Sequence, residues 1–122
     1  MEKTVLIVDD SNTNNILLQS ILESEGINSS IALSGKEAFD LIETKKPSLI
    51  LLDIMMPEID GFTVLKEIKN KPDTKEIPVV FITAKNDNKV RNQAIEAGAK
   101  DLIHKPIDIK KVIDIVKEIL PN

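Results

Sequence analysis

The chain has 122 residues, no cysteine and a net charge of −4, with acidic and basic side chains mixed along its length. This length suits a single domain with one core, the absence of cysteine excludes disulfides and thiolate chemistry, and the mixed charge argues against direct binding of nucleic acid. No apolar stretch approaches the roughly 18 residues of a membrane span. The N-terminus runs straight into an apolar segment, with no pattern typical of a signal peptide, so we expect a cytoplasmic protein.

Short apolar segments alternate five times with segments of helical periodicity, beginning with a strand. Strands are predicted at residues 5–8, 30–33, 49–53, 79–82 and 101–104. Helices are predicted at residues 13–25, 36–44, 61–70, 88–97 and 109–120. The first helix is expected to begin at a cap, Ser11 or Asn12, to end at Gly26, and to present Leu17, Leu18, Ile21 and Leu22 on one apolar face.

The alternation of strands and helices predicts an α/β fold, with a parallel sheet covered by helices on both faces. The first, third and fourth strands are continuously apolar, as central strands are, whereas the second and fifth carry polar residues such as Ser30 and His104. We therefore predict the order 2-1-3-4-5, the doubly wound order of flavodoxin-like folds. Such sheets bind ligands at the carboxyl ends of their strands.

Residues with reactive or charged side chains follow four of the five strands. Asp9 and Asp10 follow the first strand, Asp53 ends the third, Thr83 follows the fourth and Lys105 follows the fifth. Three neighbouring carboxylates repel one another, and Mg²⁺, which prefers carboxylate, water and phosphate oxygens, would relieve that repulsion. Together these groups meet the needs of phosphoryl transfer to an aspartate. An aspartate pair also caps helices, so the inference depends on the whole set.

Four short motifs carry a family resemblance, because each stands at a strand end and all four have the family's order and spacing. They are Val8-Asp9-Asp10, Leu52-Asp53-Ile54-Met55-Met56-Pro57 with Asp60-Gly61, Ile82-Thr83-Ala84, and Gly98-Ala99-Lys100-Asp101 leading to Lys105-Pro106. The chain resembles the receiver domains of two-component response regulators over essentially all of its 122 residues.

The resemblance implies that Asp53 accepts a phosphoryl group from a phosphohistidine, carried by a sensor histidine kinase or a histidine phosphotransfer protein. It implies that Asp10, Asp53 and the backbone carbonyl of Met55 bind Mg²⁺, while Asp9 acts through a water. Asp60-Gly61 is expected to form a turn that enters the third helix and not to bind a ligand.

The resemblance also implies a conformational switch. Thr83 and Lys105 would contact phosphoryl oxygens on Asp53, and the Lys105-Pro106 bond would be cis. The surface formed by the fourth helix, the fifth strand and the fifth helix would then present the change to a downstream protein or to a second copy of the chain. The sequence departs from the family at Leu102 and Ile107, where aromatic residues are usual.

Two positions near the reacting groups tune the lifetime of the phosphoryl group in this family, and here they are Met55 and Lys85. Methionine cannot orient a hydrolytic water by hydrogen bonding. We therefore expect an aspartyl phosphate that is not unusually short-lived.

Three other functions fit these residues less well than that of a phosphoacceptor. A haloacid-dehalogenase-like phosphohydrolase would need a carboxylate at position 55, where this chain has Met55, and would also need a cap domain. An unphosphorylated scaffold of the same fold would lack Asp53, Asp10 or Lys105, and all three are present. A nucleotide-binding fold would have glycines after Val8, where this chain has aspartates.

We expect one receiver domain over residues 1–122, without an output domain, and no enzymatic activity beyond phosphorylation and dephosphorylation of Asp53. It would act alone or belong to a hybrid histidine kinase or a larger regulator.

Overall fold

The computed structural model describes residues 3–84 and 88–120, so the expectations for the two chain ends and for Lys85 lie outside the described residues. The strands are β1 (Thr4–Val8), β2 (Asn28–Ala32), β3 (Leu49–Asp53), β4 (Val79–Thr83) and β5 (Asp101–His104). The helices are α1 (Asn12–Ser24), α2 (Gly35–Lys45), α3 (Gly61–Lys69), α4 (Asn88–Glu96) and α5 (Ile109–Ile119). Within this part of the chain, no helix is both long and apolar enough to cross a membrane.

The five strands form one parallel sheet in the order β2-β1-β3-β4-β5, which confirms the predicted order. Val8 pairs with Leu52, and Asp53 pairs with Ile82. The last residues of the three central strands therefore lie side by side at one edge of the sheet. The second strand begins two residues before its predicted start, because Asn28 pairs with Thr4 although its side chain is exposed.

Two apolar layers cover the sheet, one on each face. Alternate strand residues point to opposite faces, so Leu6 and Val8 face one layer while Val5 and Ile7 face the other. The first layer is completed by α2, α3 and α4, and the second by α1 and α5. Since both faces are buried, the central strands could be apolar throughout, as the sequence indicated.

The ends of α1 follow from local sequence. The Ser11 hydroxyl accepts a hydrogen bond from the Asn14 N–H, and Gly26 ends the helix with a φ of 73°. The buried face differs from the prediction at one position: Leu17 is 40% exposed, and Asn15 is buried beside Leu18. Positions 15, 18 and 22 follow helical spacing, which turns position 17 away from the sheet.

Candidate functional site

Three carboxylates meet at the carboxyl edge of the sheet. Asp9 and Asp10 directly follow β1, and Asp53 is the last residue of β3. One carboxylate oxygen from each lies within 4.8 Å of the other two. Asp9 is 2% exposed and Asp53 is 4% exposed, whereas Asp10 is exposed. The cluster is therefore open to solvent on the side of Asp10.

The Asp9 carboxylate is fixed by several donors. Its Oδ1 accepts a hydrogen bond of 2.8 Å from the Ser11 N–H, and its Oδ2 accepts one of 3.4 Å from Asn14 Nδ2. The Lys105 ammonium also donates to Oδ2, at 3.2 Å. Because charged hydrogen bonds are the stronger ones, this network determines where the Asp9 carboxylate lies.

The surroundings of Asp53 shift the pKa of its carboxyl in opposite directions. The pKa of its carboxyl is raised from 3.8 to about 6, chiefly by burial and also by the neighbouring negative charge of Asp9. The Lys105 ammonium, whose Nζ is 3.6 Å from Asp53 Oδ1, and the Met55 N–H, 3.4 Å from the same oxygen, both lower this pKa. Asp53 is therefore mostly ionised at neutral pH, yet its negative charge is only partly compensated.

Lys105 and Thr83 complete the edge. Lys105 directly follows β5, and its backbone N–H donates a 2.8 Å hydrogen bond to the carbonyl of Thr83. Thr83 is fully buried and follows Ile82, the residue that pairs with Asp53. The Lys105-Pro106 bond is cis, as expected. The structure thus brings together the carboxylates, Lys105 and Thr83 that the sequence placed at strand ends.

A close backbone approach shapes the loop that follows Asp53. A Cβ on Gly61 would lie 2.5 Å from the Asp53 carbonyl oxygen and 2.8 Å from the Ile54 Cα, so only glycine fits there. The preceding Asp60 caps α3 by accepting a hydrogen bond from the Thr63 N–H, at 2.9 Å. Asp60 is therefore a turn and capping residue, as the sequence indicated.

The sequence did not identify one buried polar residue beside the acidic turn. Asn15 is completely buried, and its Nδ2 donates a 2.8 Å hydrogen bond to the backbone carbonyl of Asp9. Its Oδ1 has no hydrogen-bond partner among the described residues. The signal was present in the spacing, because Asn15 lies on the helical stripe that continues through Leu18 and Leu22.

The donor set at this edge suits a hard divalent cation. The carboxylate oxygens of Asp9, Asp10 and Asp53 lie within 4.8 Å of one another, and one side of the cluster is exposed so that waters can complete the coordination. Lys105 supplies one positive charge against three negative charges. The cluster therefore keeps a net negative charge that a cation can balance.

Comparison with known proteins identifies the family. The sequence pattern of the response regulator receiver domain matches residues 5–117. The chain belongs to this family. It is 44% identical over 108 residues to the response regulator PleD of Caulobacter vibrioides, a match that covers 88% of this chain and 24% of PleD. It is 34% identical over 120 residues to the polar-differentiation response regulator DivK of Brucella ovis, covering 98% of each.

Solved structures agree with this receiver assignment. A putative response regulator from Chloroflexus aurantiacus superposes with a TM-score of 0.92 and 34% identity, over 98% of each chain.

This receiver domain spans about a quarter of PleD but nearly the whole of DivK. Receiver domains accept phosphoryl groups and interact with histidine kinases or phosphotransfer proteins, and the acidic cluster is the feature of this chain that corresponds to that function.

Leu102 occupies the position where the family usually has an aromatic residue. It is 1% exposed, pairs with Phe81 across the sheet and packs in the same apolar layer as Ala94 of α4. The side chain at this position therefore lies beneath α4, inside the core.

Proposed function

We propose that Asp53 is the phosphoacceptor of this receiver domain. A carboxylate oxygen of Asp53 attacks the phosphorus of a phosphohistidine on a histidine kinase or a phosphotransfer protein. The new O–P bond forms as the P–N bond breaks, and the imidazole nitrogen keeps the electron pair of that bond. The observation that carries this proposal is the nearly buried Asp53 carboxylate, adjacent to Asp9 and 3.6 Å from Lys105 Nζ.

We propose that Asp10, Asp53 and the backbone carbonyl of Met55 hold Mg²⁺, with Asp9 contributing through a water. When bound, Mg²⁺ would supply positive charge to the transferring phosphoryl group and to the carboxylates. The support is the oxygen-only donor set and the opening on the side of Asp10.

Lys105 and Thr83 would hold the transferred group. Lys105 is a point charge on a flexible stem, so its ammonium can exchange Asp9 for a phosphoryl oxygen without a change in the backbone. The Thr83 hydroxyl would donate to a second phosphoryl oxygen. Both residues belong to strand ends next to Asp53, and the Lys105 N–H is bonded to the Thr83 carbonyl, so movements of the two are linked.

The surface of α4, β5 and α5 is the proposed output. An ion pair of 3.7 Å between Arg91 and Asp101 joins α4 to β5 on this surface. Ala94 is the one fully buried residue among those that the structure describes in α4, and the partly buried Val90 packs against the same layer, so the helix is held by little apolar contact and can shift at modest cost. A downstream protein, or a second copy of the domain, would recognise the shifted surface. We propose that phosphorylation and partner recognition take place in the cytoplasm.

The decisive experiment is incubation of the protein with Mg²⁺ and acetyl phosphate, followed by mass measurement of the intact chain. We expect the mass of one phosphoryl group to be added to the wild type and not to Asp53→Asn. Turnover of free phosphate esters would instead support a phosphohydrolase, and no reaction would support a scaffold. Beyond its own phosphorylation and dephosphorylation, we propose no enzymatic activity for this domain.

A further inference from the structure

The peptide between Asp9 and Asp10 is held from one side by a single side chain. Asn15 Nδ2 donates a 2.8 Å hydrogen bond to the Asp9 carbonyl, and both groups are buried. On the other side of the residue, the Asp9 N–H donates a 3.2 Å hydrogen bond to the Ala32 carbonyl of β2. The hydrogen bond from Asn15 therefore fixes the orientation of the peptide that joins Asp9 to Asp10.

The three carboxylates differ in how their side chains are held. The Asp9 carboxylate accepts hydrogen bonds from Ser11, Asn14 and Lys105, and the Asp53 carboxylate accepts one from the Met55 N–H. In residues 3–84 and 88–120, no hydrogen bond or ion pair involves the Asp10 side chain. The Asp10 carboxylate thus depends on its own backbone for its position. The peptide before Asp10 is held by the bond from Asn15 to the Asp9 carbonyl, and the peptide after it by the bond from the Ser11 N–H to Asp9 Oδ1.

The amide oxygen of Asn15 indicates that burying this side chain lowers the stability of the fold. Asn15 Oδ1 is buried without a partner in the described part of the chain, which disfavours an amide relative to an apolar side chain of the same shape. The position lies on the stripe with Leu18 and Leu22, where leucine would suit the surroundings. The benefit of asparagine at this position is the hydrogen bond to Asp9.

We propose that Asn15 is a positioning residue for the cation: by holding the Asp9 carbonyl, it aims the Asp10 carboxylate at the site. This inference rests on the cation site of the proposed function. Partners that orient a metal ligand affect affinity although they do not touch the metal. Asn15 would act in this way through the main chain.

The test compares Asn15→Leu with a matched control, using Mg²⁺ binding to the full chain measured by titration calorimetry. The control is Thr74→Val, because Thr74 Oγ1 also donates a buried hydrogen bond to a carbonyl six residues earlier, that of Ile68, at 2.6 Å. Thr74 lies before β4, at the opposite edge of the sheet. We expect about tenfold weaker Mg²⁺ binding for Asn15→Leu and less than a twofold change for Thr74→Val.

Two further measurements separate positioning from a structural role. Chemical unfolding should show that Asn15→Leu loses no more stability than Thr74→Val, because each leaves a buried carbonyl without its donor and Asn15→Leu also removes the unpaired amide oxygen. In an Asp10→Asn background, Asn15→Leu should weaken Mg²⁺ binding less than twofold, because the carboxylate that it positions is absent.

Equal Mg²⁺ affinity for folded Asn15→Leu and the wild type would overturn this inference and leave the proposed function intact. Failure of the wild type to bind Mg²⁺ would overturn both. If Asn15→Leu does not fold, nuclear magnetic resonance of the wild type decides: the Asn15 side-chain amide protons should exchange slowly and shift on addition of Mg²⁺, in contrast to those of the exposed Asn12. Fast exchange, or no shift, would contradict the proposal.

Discussion

Lys105 forms its shorter ion pair with Asp9, at 3.2 Å, and not with Asp53, at 3.6 Å. Its side chain is largely buried, at 21% exposure, so the attraction is screened less than at the surface. The lysine therefore balances part of the negative charge at this edge before any cation or phosphoryl group arrives. Its departure from Asp9 is the local change that phosphorylation would require.

Replacing Lys105 with methionine should raise the pKa of Asp53 above its present value of about 6, because the ammonium lowers that pKa. Carboxyl-carbon nuclear magnetic resonance across a pH titration measures this directly. Lys105→Arg, which keeps the charge, should leave the midpoint much closer to that of the wild type. An unchanged midpoint in Lys105→Met would show that Lys105 does not act on Asp53 in this way.

Asp53→Asn should stabilise the protein at pH 8 when divalent cations are absent. The pKa of Asp53 is about 6 in the folded state against 3.8 as its reference, so the folded state binds more protons between these values. Stability from this group is therefore complete below about pH 3.8 and lost as the pH rises through about 6. The gain at pH 8 should be about 1–3 kcal/mol and should shrink toward pH 4.

Urea unfolding followed by circular dichroism tests this sign, and Mg²⁺ serves as the internal control. A saturating concentration of Mg²⁺ should stabilise the wild type more than Asp53→Asn, because only the former keeps all three carboxylates. A variant that is less stable than the wild type at pH 8 without cation would contradict the assignment of Asp53 as a buried, costly charge.

The sequence was sufficient for the placement of Asp53, Thr83 and Lys105, because a parallel sheet delivers every strand end to one edge once the strand order is known. It did not predict which carboxylate Lys105 contacts more closely, since that depends on a difference of 0.4 Å between 3.2 and 3.6 Å. It also missed Asn15, because a polar residue on an apolar stripe reveals its partner only after α1 is packed against β1. The start of β2 followed backbone pairing instead of side-chain pattern.

Met55 should make the aspartyl phosphate of this domain long-lived relative to a variant that can hold a water. Met55 is 57% exposed beside Asp53, and its thioether has no hydrogen-bond donor and is only a weak acceptor, so it cannot hold a hydrolytic water in place. Met55→Asn should therefore shorten the half-life of the phosphorylated protein, measured by mass spectrometry after removal of acetyl phosphate. Met55→Leu should have little effect, and an equal half-life for Met55→Asn would refute the idea.

Gly61→Ala should disrupt the site through the backbone of Asp53. The added methyl group would lie 2.5 Å from the Asp53 carbonyl oxygen, and backbone atoms cannot rotate away as a side chain can. We expect a loss of about 3 kcal/mol or more in the free energy of unfolding, together with slower phosphorylation by acetyl phosphate. Gly26→Ala is the comparison, because a Cβ there meets no atom within 4 Å and the cost, from a φ of 73°, should be about 1 kcal/mol.

Leu102→Ala should separate phosphorylation from its transmission to α4. Leu102 lies in the apolar layer that contains Ala94, whereas its neighbour Ile103 faces the layer of α1 and α5. Both are buried, so Leu102→Ala and Ile103→Ala should each lose about 2–5 kcal/mol of stability and still be phosphorylated on Asp53. Hydrogen exchange of α4 measures the difference: phosphorylation should change the protection of α4 in the wild type and in Ile103→Ala, but much less in Leu102→Ala. If all three respond alike, then α4 is coupled to Asp53 by a route that does not use Leu102.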